Sequence, residues 1–256
     1  MWRSTRLASL VLLLVAATVA AAQERRRSGF DDMGRDTQAM QKDDLANPGM
    51  LSALEGETLW NTPNGTSGTS CASCHGDAAT SMKGVAARYP AYEPSQARAV
   101  DLAGRIDLCR ETQQQAKALP REARETIGLA TYIGLQSRGL PVAPSDDPRL
   151  APVRAQGKAL FTQRMGQLNF SCAQCHDDNA GRHLAAAPIP QAHPTGYPLY
   201  RLEWQATGSL QRRLRNCMVG VRAEPFSYGS AEFLALELYL MDRAAGMSIE
   251  TPAVRP

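Results

Sequence analysis

Two five-residue runs, Cys71-Ala72-Ser73-Cys74-His75 and Cys172-Ala173-Gln174-Cys175-His176, constrain this chain more than any other feature. Each has the form C-x-x-C-H. That spacing is what covalent attachment of a c-type haem requires: two sulfurs form thioethers along one porphyrin edge, and the next imidazole reaches the iron from one face. A bare C-x-x-C also occurs in zinc sites and redox dithiols. The histidine directly after the second cysteine, present twice, selects haem, and the chain reads as a dihaem cytochrome with two covalently bound haem c groups.

The motifs sit inside a larger repeat. Gly56-Glu57-Thr58-Leu59-Trp60 precedes the first as Gly157-Lys158-Ala159-Leu160-Phe161 precedes the second, and every matched pair is 101 residues apart. A glycine, a leucine and an aromatic at fixed distance before a haem motif predict a helix whose glycine admits a second helix and whose aromatic packs near the haem edge. Each half ends in an apolar helical pattern. The first is Glu122–Gln136, with Ile127, Leu129, Ala130, Ile133 and Leu135, stopped by Gly139 and Pro141; the second is Ala231–Arg243, with Phe233, Leu234, Leu236, Leu238 and Leu240. Tyr132 and Tyr239 hold similar places in them. The equal offset argues for duplication over two helical hairpins alike by chance. The expected fold is all-α: two tandem cytochrome c-type domains, at about 47–145 and 146–250, with Gly139–Pro152 as a proline-rich linker.

The start of the chain reads as an export signal. Arg3 and Arg6 precede the apolar run Leu7–Ala21, and Ala20-Ala21-Ala22 offers a small-residue cleavage site before Gln23. A membrane anchor is the competing reading, but the run is short against the ~20 residues a spanning helix needs. Haem attachment of this kind takes place outside the cytoplasmic membrane, so the expected location is the periplasm. Loss of residues 1–22 removes two arginines and no acid from a chain whose formal charge is +3. The remaining near-neutral balance gives no electrostatic case for nucleic acid or for a membrane surface. Residues 23–46 are polar and lack an apolar period, which predicts a mobile or partner-wrapping lead-in.

Six cysteines are present and the haem motifs use four, leaving Cys109 and Cys217, one in each half. They could form one interdomain disulfide, stand as inert core thiols, or each serve as the second axial ligand of the iron in its own half. After His75 the first half offers only Met82 as a rival, too close in sequence to cross to the other face. Met218 and Met241 keep the question open for haem 2. His183 and His193 read as surface or packing residues. Around Cys217, the stretch Leu210–Cys217 looks helical, which places Arg213 on the same face as the cysteine. A guanidinium beside a thiol lowers its pKa and offers a planar fork to an oxyanion.

These residues resemble the SoxA family, the dihaem subunit of the SoxAX complex of bacterial thiosulfate oxidation, over nearly the whole chain after the export signal. The strings that carry the resemblance are Gly84–Pro90, Arg105–Arg110 and Gln136–Pro141 in the first half, and Pro194–Pro198, Tyr200–Gln205, Gly208–Cys217 and Val221–Pro225 in the second. The resemblance implies that Cys71 and Cys74 attach haem 1, with His75 and Cys109 as its axial ligands. It implies likewise that Cys172 and Cys175 attach haem 2, with His176 and Cys217 as its axial ligands. It further implies that Cys217 is the catalytic residue, able to carry an extra sulfur as a persulfide, and that Arg213 binds substrate. The implied activity is L-cysteine S-thiosulfotransfer, which conjugates thiosulfate to a cysteine or cysteine persulfide of the SoxYZ carrier and releases two electrons. Implied partners are the monohaem SoxX in a heterodimer and a small cytochrome c acceptor. Haem 1, with two axial ligands, reads as a structural plug or spectator more than a relay. Two rivals share the haem motifs: a dihaem electron carrier, which leaves Arg213 without a role, and a thiosulfate dehydrogenase, which would form tetrathionate. A dihaem peroxidase would need an open iron position.

Overall fold

The computed structural model describes residues 26–256, so the expected export signal lies outside the described residues. Helices dominate. In the first half they are α1 (Arg35–Lys42), α2 (Gly49–Asn61), α3 (Cys71–His75), α4 (Ala78–Ser81), α5 (Leu102–Cys109) and α6 (Arg124–Leu135). In the second they are α7 (Ala151–Thr162), α8 (Cys172–His176), α9 (Leu210–Gly220) and α10 (Ala231–Arg243). The strands are only two or three residues long: β1 (Ala91–Glu93) with β2 (Arg98–Val100), β3 (His183–Leu184) with β4 (Ala187–Pro188), and a three-stranded patch of β5 (Leu199–Arg201), β6 (Ala206–Gly208) and β7 (Ala253–Arg255). The all-α, two-domain expectation holds, with these short ladders as additions to it.

Each half is built on one packed helix pair, α2 on α6 and α7 on α10. The repeated glycines make both possible. A Cβ on Gly56 would lie 2.0 Å from the Gly128 carbonyl oxygen and 2.7 Å from Cβ of Tyr132; on Gly157 it would lie 2.0 Å from the Ala235 oxygen and 2.8 Å from Cβ of Tyr239. Backbone therefore runs against backbone at matching points of both halves. The aromatics four residues on then fill matching space, with Trp60 6.1 Å from Tyr132 and Phe161 5.4 Å from Tyr239 between ring centroids. Two clusters of buried side chains follow, one around Trp60, Leu129 and Ile133, the other around Phe161, Phe233 and Leu236. Helix α10 spans the expected residues; α6 begins two residues later than its pattern suggested, because Pro120 closes a turn that accepts from the Ala123 N–H and the Thr126 hydroxyl.

One expectation about the connecting segments needs correction. The described part of the lead-in is not loose, and it wraps its own chain. Helix α1 packs on β7, with Gln41 Oε1 accepting from the Val254 N–H at 3.1 Å, Asn47 donating to the Pro252 carbonyl at 2.9 Å, and the Arg27 N–H donating to Gln191 at 2.7 Å. A polar segment without apolar period can still be ordered when its donors and acceptors match a distant strand. The proline-rich linker is bound over its first residues. Gly139 and Val142 donate to the carbonyls of Ile249 and Met247, both at 2.8 Å, and Ile249 donates back to Leu140 at 2.9 Å.

The halves also meet through a buried polar knot. Asp101 caps α5, accepting from the Gly104 N–H at 2.8 Å; it receives Arg121 on both oxygens and, at 3.1 Å, Gln211 from the first turn of α9. Glu237 of α10 is buried beside this group. Burial, and next the Asp101 charge, push its carboxyl well above the ordinary 4.5, against the opposing pull of Gln211 and Arg121. A carboxyl raised in the folded state binds a proton that the unfolded chain has already lost, so stability falls as pH climbs above that ordinary value toward the raised one. Glu237→Gln removes the titration. Thermal melts are expected to show it stabilising the protein by a few degrees more at about pH 8 than at about pH 5. A gain that does not grow with pH would refute the account.

Candidate functional site

The two C-x-x-C-H turns are local products of their own sequence. Ser70 and Ser171 each cap the turn, accepting from the N–H of Ser73 and Gln174, whose side chains accept in return from the N–H of the capping serine. Each turn thus stands as a rigid platform for its cysteines and histidine.

In the first half, Cys71, Cys74 and His75 of α3 share a cavity of about 850 Å³ with Cys109 at the end of α5. Trp60 donates its indole N–H to the Gly76 carbonyl at 3.0 Å and lies 5.7 Å from the His75 ring, which fixes that edge. The rest of the lining is largely apolar, with Met82, Ile106, Leu129 and Ile133. Burial pushes the Cys71 thiol up, and the nearby Cys109 adds to the rise. Past Cys109 the helix loosens into a π turn over Arg110–Gln114, a device common where a helix must aim a functional side chain.

In the second half, His176 of α8 and Cys217 of α9 line a cavity of about 970 Å³ with Arg213, Tyr197 and Arg201. His176 Nδ1 lies 2.7 Å from the Pro190 carbonyl. A carbonyl only accepts, so that nitrogen carries the proton and the lone pair stays on Nε2, the nitrogen on the Cys217 side and the one a metal would take. Burial pushes the Cys217 thiol up, but the hydrogen bond with His176 and the charges of Arg213, His176 and Arg201 outweigh it, and the net shift is down. Cys172, by contrast, is pushed up to about 11 by burial and next by the neighbouring Cys217. Cys175 is raised for the same two reasons, which places both cysteines of the turn close to Cys217.

Both donor sets fit haem c. The first cavity brings together two thiols of one turn, the adjoining imidazole and a further thiol from a different helix; the second is lined by His176 and Cys217, with Cys172 and Cys175 on the His176 turn and close to Cys217. Among the described residues no three His, Cys, Asp or Glu side chains converge as a site for a bare metal ion. An iron that arrives with four porphyrin nitrogens needs only the two axial donors each cavity offers. All six cysteines are free thiols, and Cys109 and Cys217 line different cavities, which overturns the interdomain disulfide. Of the competing methionines, Met218 packs in the core against Phe161 and Met241 faces the space between the halves. Neither lines the His176–Cys217 cavity.

Sequence reasoning missed much of this second wall. His193 does line it, held by Arg27 with its Nδ1 2.7 Å from that carbonyl, while His183 is exposed on a hairpin. Gly29, Asp32 and Met33 of the lead-in contribute, as do Arg201 and Arg255 from adjacent strands. No spacing rule links these residues to Cys217; strand pairing of β5 with β7, parallel and in register Arg201 with Arg255, brings them there.

Comparison with known proteins agrees with this arrangement. A family model described as SoxA/TsdA, cytochrome c domain, matches twice, over residues 55–142 and 156–249. The L-cysteine S-thiosulfotransferase subunit SoxA of Pseudaminobacter salicylatoxidans is 42% identical over 221 residues, which span 86% of this chain and 77% of that protein. The subunit of the same name from Rhodovulum sulfidophilum is 35% identical over 229 residues, 90% of this chain and 80% of that one. In the crystal structure of SoxXA from P. pantotrophus, one chain superposes with a TM-score of 0.87 at 34% identity, covering 90% of this chain and 87% of that chain. The repeat, the two haem-type cavities and these likenesses agree, and the chain belongs to the SoxA/TsdA cytochrome c family.

Proposed function

We propose that the second half of this chain is the L-cysteine S-thiosulfotransferase centre, and that it joins thiosulfate to a cysteine, or cysteine persulfide, of the SoxYZ carrier with release of two electrons. The observation that carries the reading is Cys217, a half-buried thiol drawn toward its anionic form in a cavity it shares with His176 and Arg213. In this reading Cys71, Cys74, His75 and Cys109 hold haem 1, and Cys172, Cys175, His176 and Cys217 hold haem 2. Bound haem supplies an acceptor that takes electrons one at a time. Everything else in the reaction falls to side chains. Thiosulfate is a dianion that a thiolate repels, and Arg213 offsets the repulsion with charge-assisted hydrogen bonds of about 1.5–3 kcal/mol each. The terminal sulfur of thiosulfate bonds to Sγ of Cys217 as the thiol proton and two electrons are lost, the electrons passing to a cytochrome acceptor. A carrier thiolate then attacks that same sulfur, and Cys217 leaves as thiolate, the ordinary course of thiol–disulfide exchange. If Cys217 already bears an extra sulfur, that outer sulfur takes the place of Sγ in both steps.

The proposal includes export to the periplasm, a heterodimer with SoxX, as in the SoxXA crystal structure whose chain this one resembles, and a small cytochrome c as final acceptor. No described helix is long and apolar enough to cross a membrane. Intact-mass analysis with peptide mapping is the test. It is expected to find two attached haems and an extra sulfur confined to the Cys217 peptide, with carrier–thiosulfate adduct as the main product. Free tetrathionate as the main product would replace this reading with the dehydrogenase.

A further inference from the structure

The wall around Cys217 carries three guanidiniums, and their partners differ. Arg255 is matched by Glu250 and bound to Gln41, so its charge is spent within the fold. Arg213 has no carboxylate partner among the described residues. Arg201 comes from β5, and among the described residues its one ion pair is with Glu203, at 2.8 Å; the Arg201 side chain is 14% exposed and that of Glu203 61%. The buried Nε of Arg201 has no hydrogen-bond partner among the described residues. Asp32, the acid of the lead-in on this wall, is taken by Arg27 at 2.8 Å. Two half-buried guanidiniums therefore line one cavity with the Cys217 thiol, from different elements, and Glu203 is the one carboxylate among the described residues that pairs with either. Their mutual repulsion is one cause of the lowered pKa of Arg201, after burial. Like charges are brought together in a low-dielectric space at a cost, and a bound anion removes that cost. The unpartnered Nε, pointing into the protein and not to water, marks where a further acceptor is missing.

We infer that Arg201 is the second arm of the thiosulfate site, gripping the sulfonate oxygens opposite Arg213 so that the terminal sulfur is left facing Cys217. The inference rests on the thiosulfotransfer reading above and deepens it. One arginine four residues before Cys217 can attract a dianion but leaves it free to turn. A second planar fork from a strand fixes the oxygen-bearing end, and it favours a dianion with several oxygens over a monoanion such as hydrosulfide.

Calorimetric titration of the oxidised holo-protein with sodium thiosulfate tests this without turnover, the haem absorbance of each variant reporting intact folding. Arg201→Gln is expected to weaken binding about tenfold or more, and Arg201→Lys to recover only some of it, since an ammonium lacks the fork. Glu203→Gln keeps the guanidinium and removes its exposed competitor, so it is expected to bind at least as tightly as the wild type. Should Arg201→Gln fail to fold, the other two variants decide: Arg201→Lys at wild-type affinity, or Glu203→Gln binding more weakly, overturns the inference. Binding retained within twofold in a folded Arg201→Gln overturns the second arm and leaves the transfer reading standing. No binding to the wild type overturns the site altogether. Wild-type binding that Arg201→Gln loses, with no carrier conjugation by the wild type, upholds the site and sinks the transfer reading.

Discussion

Cys217→Ser is expected to lower carrier conjugation about 10³-fold or more in kcat while both haems stay attached. The sulfur is a bonding partner in the reaction as proposed, and a serine oxygen can neither hold a sulfane sulfur nor leave as thiolate does. Attachment is expected to survive because the proposed thioethers of that half come from Cys172 and Cys175, on a turn capped by its own Ser171 and Gln174. Mass and pyridine-haem absorbance would verify two haems in the variant, and the conjugation assay would read the loss. The matching change in the other half, Cys109→Ser, is expected to leave conjugation within about twofold, since its cavity shares no lining residue with that of Cys217. A Cys217→Ser protein that still conjugates at a tenth of the wild-type rate would remove this residue from the mechanism.

The second large effect concerns the frame. Gly157→Ala places a methyl 2.0 Å from a backbone oxygen of α10. No rotamer relieves that overlap, so the helix pair must separate along its length. Overpacking of this kind costs up to about 3 kcal/mol or more, and here it also opens the aromatic contact between Phe161 and Tyr239. Denaturant titration is expected to show the loss, with poorer haem incorporation in the second half. Gly220→Ala is the internal comparison: nothing lies within 4 Å of the added methyl, and alanine is favoured over glycine in a helix by about 1 kcal/mol. If the two variants melt alike, backbone contact at Gly157 is not what holds the pair together.

Much of this was legible from sequence because it is local or repeated. The C-x-x-C-H turns carry their own serine caps, and the helix Ala231–Arg243 follows its apolar run to the residue. The pair Gly56 and Gly157 announced a close helix contact because the same residue recurs at the same distance from two haem motifs. Cys109 and Cys217 were found by counting what the motifs leave over. What could not be read depends on pairing between distant segments. Arg201 belongs to the Cys217 wall because β5 lies beside β7, a ladder of three residues with no alternation long enough to register as a strand. The lead-in is ordered by Gln41, and by Asn47 directly after it, meeting residues 252–255, and nothing in its composition reports that. Hydrogen-bond partners more than 200 positions apart leave no periodic trace in either segment.

The return of residues 246–249 to pair with 139–142 bears on the order in which this protein can be finished. Domains in tandem ordinarily complete themselves one after another as the chain emerges, the amino-terminal one first. Here the closing segment of the early half waits for residues synthesised about a hundred positions later. The early haem motif is therefore presented on a chain whose final hydrogen bonds have yet to form, and the last stretch of the molecule acts as a latch on both halves. Shortening the protein at its carboxyl end takes a piece from each.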